Sequence, residues 1–415
     1  MTEENLILTE RIESQRTRFY AQVDILKAAM IFLVIFDHTV PWTFKNYMFV
    51  DLWERISIPI FLVIMGFNMG LSFNQLESRS LKNLYSYTYF KKKFWRYIYP
   101  FIVLLGLSMI IGTVFVVYYD YPAFEQYRPG FHFSHIFLGI LQFWGPGNWF
   151  IPVIFLSILI MPLLYKGLSG KWIWRIFTII ICVCIELVFQ ISFHVFVAEP
   201  ILPAASWGEY FAYLNIFHMI VSTPFFLLSG IGLGMWFSTK KNTQNLFELQ
   251  NLFIWIIGSL SLVYIVFYRL DKLGIVSFDI EFIYGDYNFL FFPYSAFLFL
   301  LILKILPKEG KSSFTKAIRG IGKATYHILL TQILYFAVTV AIWEDHYNAT
   351  IFGVIPGTLP EESQALMTMS FFITNSTICV SFGVLWWYCE SKVRKSYLKR
   401  KDLRVKKLQK MVLKT

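Results

Sequence analysis

Charge is scarce in this chain. Of its 415 residues only 15% are Asp, Glu, Lys or Arg, while 57% are hydrophobic and 20% aromatic; soluble domains carry nearer a quarter charged. That scarcity excludes an ordinary soluble globule and predicts an all-α integral membrane protein. Cysteine is scarce too. Cys182, Cys184, Cys379 and Cys389 lie inside apolar runs, with no CxxC pair and no histidine at zinc spacing, so neither a disulfide framework nor a metal site is expected. A cleavable signal is missing as well: residues 1–22 mix Glu3, Glu4, Glu10 and Glu13 with Arg11, Arg16 and Arg18, and the first apolar run outlasts a signal's core. No stretch reads as an attached soluble domain, and no internal repeat of the transporter kind is visible.

What is present is a series of apolar runs. They fall at about 23–42, 54–73, 97–118, 148–165, 172–193, 212–237, 251–268, 287–306, 321–343 and 365–389, which predicts a bundle of about ten transmembrane helices. The run from His135 to Trp144 is too short to span and reads as a re-entrant or interfacial helix. The net charge of +11 is distributed as a topology signal and implies no nucleic-acid partner. Lys27 lies within the first run, and only Lys45, Arg55, Arg128, Arg269 and Lys272 fall on the side opposite the N-terminus; the rest of the 37 Lys and Arg share its side. Both termini are therefore expected in the cytoplasm. Residues 1–22 form an N-terminal arm, 23–390 the membrane domain, and 391–415 a basic tail suited to resting on anionic lipid.

The first run, VDILKAAMIFLVIFDHTVPW, carries Asp24, Lys27, Asp37 and His38. A charge at the bilayer centre costs about 2.5–3.5 kcal/mol on insertion scales, so four ionisable groups in one span are a functional hypothesis by default, against the bland reading of Asp24 and Lys27 as interfacial snorkelers and His38 as a hydrogen-bonded packing residue. Lys27 and His38 are eleven positions apart, close to three whole turns, which puts both on one face about 16 Å apart along the axis. Asp24 sits one turn before Lys27 and can pair with it. The span thus presents a cation near one surface and an imidazole near the other.

Other candidates lie elsewhere. Glu186, inside the fifth run, falls at nearly the depth of His38, and could orient that imidazole as a general base if helices one and five are neighbours, or could be a buried carboxyl satisfied by a tyrosine or by backbone. Asp37 is the competing orienter, although an adjacent helical residue points about 100° away. Lys93 and Arg96, one turn apart in YFKKKFWRYIYP, could clamp phosphates at the cytoplasmic mouth of a cavity, or simply anchor the helix at the membrane surface. The segment from Tyr119 to Asn148, with Asp120, Glu125, Arg128, His132 and His135, suits a sugar or lipid-linked head group, or an interfacial aromatic belt. His218 reads as a structural histidine.

Several stretches together resemble one family. Lys27, ten intervening residues and His38 match the R/K-x10-H signature of the acyltransferase-3 family of membrane acyltransferases, and VDILKAA is similar to its first-helix opening. ISIPIFLVIMGF at 56–67 resembles its second helix, KKFWRYIYP its basic third-helix entry, NWFI from Asn148 its fourth, and IGKATYHILLTQ from Ile321 its late SY-x-x-YL-x-H stretch. There are departures: Lys27 replaces the commoner Arg, Lys93-x-x-Arg96 replaces RxxR, Met65 stands where Ser is common and Gln332 where His is common. No catalytic role is assigned to Met65 or Gln332.

The resemblance implies transfer of an acyl group, usually acetyl, from cytoplasmic acyl-CoA to a hydroxyl of an envelope glycan, glycolipid or lipid-linked sugar. The protein would sit in the plasma membrane with no permanently bound cofactor. Lys27, Lys93 and Arg96 would hold the donor, and His38, oriented by Asp37 or Glu186, would act as base. Asn148 and Trp149 are the candidates for holding the acceptor. A transporter or flippase of lipid-linked sugars is the competing reading, with Asp24, Lys27 and Glu186 serving coupling. A sensor or scaffold acting through the basic tail leaves the register of Lys27 and His38 unexplained.

Overall fold

A computed structural model describes residues 21–76, 78–121, 123, 136–137, 139–193, 225, 227–238, 249–277, 287–306, 312–357 and 359–412. Ten main helices follow in chain order: α1 Ala21–Thr39, α2 Ser57–Asn74, α3 Tyr99–Tyr119, α4 Phe150–Leu168, α5 Trp172–Phe193, α6 Leu228–Ser238, α7 Leu249–Lys272, α8 Phe292–Ile305, α9 Ser313–Trp343 and α10 Glu361–Val412. Seven of the described helical stretches are long and apolar enough to cross a membrane. They contain α2, α3, α4, α5, α7, α9 and α10. The other three sit at expected runs but differ: α1 is marked by the three charges Asp24, Lys27 and Asp37, α8 is short, and most of the run before α6 lies outside the described residues. Glu125, Arg128, His132, His135 and His218 lie outside them as well.

Local chemistry sets several boundaries. Pro41 follows α1, and the restriction it places on the residue before it stops the helix at Thr39. Ser312 caps α9 by accepting the N–H of Thr315 at 3.1 Å. A short helix at Tyr87–Lys93 runs into α3 through a π turn at Phe94–Ile98. Pro100, in the first turn of α3, has no N–H to give the carbonyl four residues back, and the helix widens there.

Most of the core is one apolar cluster drawn mainly from α1, α2, α4, α6, α8 and α9, with smaller clusters round Phe36 and Val50 and round Phe115 and Phe143. Every residue of α6 is buried, and α6 packs most extensively on α2. Their backbones cross closely: a Cβ on Gly234 would lie 1.9 Å from the Val63 carbonyl, and one on Gly66 2.0 Å from that of Ile231. Helix α9 lies between α1 and α10, with Gly322 against the backbone of Asp24. Outward faces of α3, α5 and α7 expose Ile110, Val117, Ile173, Ile180, Ile256 and Leu260, as lipid requires.

The expectation of a short helix from His135 to Trp144 is corrected. Its described part is a 3₁₀ pair at 136–137, a turn at Gly139 and irregular backbone to Gly145. Ile140, Leu141 and Phe143 are buried, and the Phe143 carbonyl accepts from Ser108, so this non-helical stretch is satisfied inside protein rather than in lipid.

Candidate active site

Two polar regions stand at opposite ends of α1. Near its N-terminal end Lys27 Nζ lies 2.6 Å from Asp24 Oδ1, the pairing that a spacing of three residues on a helix allows. Both line a cavity of about 460 Å³. Lys93 and Arg96 line it too, re-aimed by the π turn: Lys93 Nζ donates to Met69 Sδ and sits against the rings of Tyr89 and Tyr97, and the Arg96 guanidinium is 5.3 Å from the Tyr97 ring. Helix α9 contributes Lys323 and His327, and α10 contributes Glu390 and Arg394. His327 Nε2 is 2.9 Å from Glu390 Oε2. Five cations thus face two carboxylates around one cavity, so it favours an anion.

Arg394 corrects part of the reading of the tail. Helix α10 runs unbroken through residue 390, and Ser391 and Arg394 turn into the cavity instead of lying on lipid. Sequence reasoning also missed Lys323 and the pair His327–Glu390. A period of three to four that joins Glu390 to Arg394 was the available signal.

At the far end of α1, Asp37 is the hub. Lys45 Nζ, fully buried, donates both to the carboxylate of Asp37 and to its backbone carbonyl, and Arg55 Nη2 lies 3.5 Å from the same carboxylate oxygen. Burial lowers the pKa of Lys45 from its ordinary value, and Asp37 opposes that. His38 Nδ1 is 3.9 Å from Asp37 Oδ2, within ionic reach but longer than a hydrogen bond. Its ring meets Phe336 of α9 edge-on at 6.0 Å and His346 at 6.1 Å.

His346 belongs to the loop that closes this end, where strands β1 Ala349–Thr350 and β2 Gly353–Val354 pair antiparallel. The loop is tied down by Asn348 N donating to the Thr39 carbonyl at 3.0 Å and by Asn375, which donates to Thr39 Oγ1 and to the Ala349 carbonyl. Burial pushes the His346 imidazole down to about 4, against the upward pull of Asp345 and Asp37. Sequence reasoning passed over His346, Lys45 and Arg55. Lys45 and Arg55 were visible as rare cations on a cation-poor side.

Asn148 is fully buried, and Trp149 stacks on Tyr287 with ring centroids 5.9 Å apart. Both stand at the start of α4, and neither lines the large cavity. Glu186 is not brought to His38. Helix α5 packs on α4 and α6, and the Glu186 carboxylate accepts the Ser229 N–H at 2.6 Å and the Ser229 hydroxyl at 2.9 Å. Among the described residues no group of His, Cys, Asp and Glu converges to hold a metal ion.

The acyltransferase-3 domain, described as an acyltransferase domain, matches residues 20–387. The chain belongs to the acyltransferase-3 family. Comparison with curated proteins and with solved structures gave no match. As a member with several apolar spans, it is a multi-pass membrane acyltransferase. The acyltransferase-3 match runs from the start of α1 to Trp387 of α10, so it takes in Asp37, His38 and most of the cavity lining, while Glu390, Ser391 and Arg394 lie just beyond it.

Proposed function

We propose that the protein transfers an acyl group, in the simplest case acetyl, from acyl-CoA at the cytoplasmic face to a hydroxyl of an envelope glycan, glycolipid or lipid-linked sugar at the outer face of the plasma membrane. The observation that carries this reading is the cation-lined cavity. Its Lys27, Lys93, Arg96, Lys323 and Arg394 suit the phosphates of a nucleotide, with the guanidinium groups offering paired donors. Val34, Phe150 and Leu329 are part of its lining. Val34 is one helical turn, about 6 Å, short of His38, so a pantetheine arm laid along α1 brings its thioester toward that imidazole. That last layer of side chains has to part for the thioester to pass.

His38 then takes the proton from the acceptor hydroxyl as its oxygen attacks the thioester carbonyl, a step typically worth about 10² to 10⁴ in rate. Asp37 steadies the imidazolium, and Lys45 and Arg55 hold Asp37. The departing CoA thiolate receives that proton, and the imidazole returns neutral.

The test uses purified protein in detergent with acetyl-CoA, following binding and release of the CoA thiol. His38→Ala is expected to bind acetyl-CoA normally and release less than a hundredth as much CoA. Lys93→Ala with Arg96→Ala is expected to weaken CoA binding at least tenfold while leaving an acetyl-pantetheine analogue almost unaffected. Folded protein that binds no acyl-CoA would turn the reading toward a flippase of lipid-linked sugars.

A further inference from the structure

Around Gly147, which lies beside His38, stand side chains with nothing to bond. Gln332 of α9 and Asn148 before α4 are both fully buried, and neither atom of either side-chain amide has a hydrogen-bond partner among the described residues. Leaving a buried amide group unmet costs about 1–3 kcal/mol, so two in one place call for a reason. Gly147 supplies one. Its backbone is left-handed, with φ at +91°, and a carbon placed where its Cβ would be lies 3.6 Å from Gln332 Nε2 and 3.7 Å from His38 Nε2. Both are ordinary contact distances. The basic ring nitrogen and an unused amide nitrogen therefore flank the same side of the Gly147 backbone.

We infer that the thioester carbonyl, once the side chains before it have parted, is seated between these two nitrogens, and that Gln332 is a catalytic residue whose side-chain N–H donates to the oxygen of the tetrahedral intermediate. The inference rests on the acyl-CoA reading above and adds the group that stabilises charge. As the acceptor oxygen bonds to the carbonyl carbon, the C=O electron pair moves onto oxygen while the hydroxyl proton goes to His38 Nε2. The new anion lies beside the Gln332 amide. When the C–S bond breaks, the pair returns to the C=O, the thiolate leaves, and Nε2 gives it the proton. A donor already in place needs no reorganisation as the charge appears, which is the usual source of such stabilisation.

Gln332→Leu tests this. Leucine keeps the volume and removes two unmet polar atoms, so a purely structural role predicts an unchanged or higher thermal midpoint and unchanged turnover. A role at the oxyanion predicts a fall in kcat for CoA release from acetyl-CoA of about 10² to 10³. KM for acetyl-CoA should stay within about threefold, and Gln332→His, which keeps a ring N–H, should recover at least a tenth of wild-type kcat. Wild-type turnover matched within threefold by Gln332→Leu overturns the inference alone. No turnover by wild-type protein overturns the donor reading and this inference together.

Discussion

Replacing Lys45 by methionine removes the fully buried partner of Asp37, at the end of α1 where His38 stands. Methionine keeps most of the stem's volume, so the loss is electrostatic. Taking one charge from a buried pair costs about 3–5 kcal/mol, because the other is left uncompensated. Here Arg55 stays 3.5 Å from the same carboxylate oxygen and the His38 ring 3.9 Å from the other, so the lower end, about 3 kcal/mol, is expected. Asp37→Asn with Lys45→Met removes both charges. It should recover at least half of that loss, giving a coupling of about 1.5 kcal/mol or more. The assay is denaturant unfolding in detergent micelles, followed by helical ellipticity, for the wild type, both single variants and the double. Additivity of the two single losses to within about 0.5 kcal/mol refutes the reasoning.

Two further outcomes follow from the same geometry. His346 titrates at about 4 in the folded protein against an ordinary value of 6.5, because burial disfavours its charge. The unfolded chain therefore binds the proton first. The stability this contributes is complete above pH 6.5, is lost as pH falls to about 4, and amounts to about 3 kcal/mol at most. His346→Gln should flatten the fall in apparent unfolding midpoint between pH 6.5 and 4; a slope identical to wild type would show the group is not responsible. Glu186→Ala should destabilise by about 2–4 kcal/mol, since it strands the Ser229 N–H and hydroxyl. Glu186→Gln can accept from one and donate to the other, so it should recover most of the loss, and equal damage from both would contradict the assignment.

The contrast between Lys27 and Glu186 separates what was legible from what was not. Asp24 and Lys27 are three residues apart on one helix, and helical geometry alone brings them within 2.6 Å. Lys93 and Arg96 share a face for the same reason, and the cavity receives both. Glu186 and His38 share a depth, which the chain does encode, but not a neighbourhood. Helices α2 and α6 cross at Gly66 and Gly234, and α5 packs on α6, so Glu186 faces Ser229. Gln332 and Gly147 likewise lie 185 residues apart in the chain and converge only in the fold.

By itself the sequence determined that the chain is a helical multi-span membrane protein, with seven of the ten expected runs forming described helices long and apolar enough to cross, because a backbone in lipid has to satisfy its hydrogen bonds within each helix, and that rule is local. The tertiary structure alone decided which helix faces which. It turned Arg394 inward, gave Asp37 its buried lysine and set an unpartnered amide beside His38. Those choices depend on close packing between distant segments, and spacing along one helix carries no record of them.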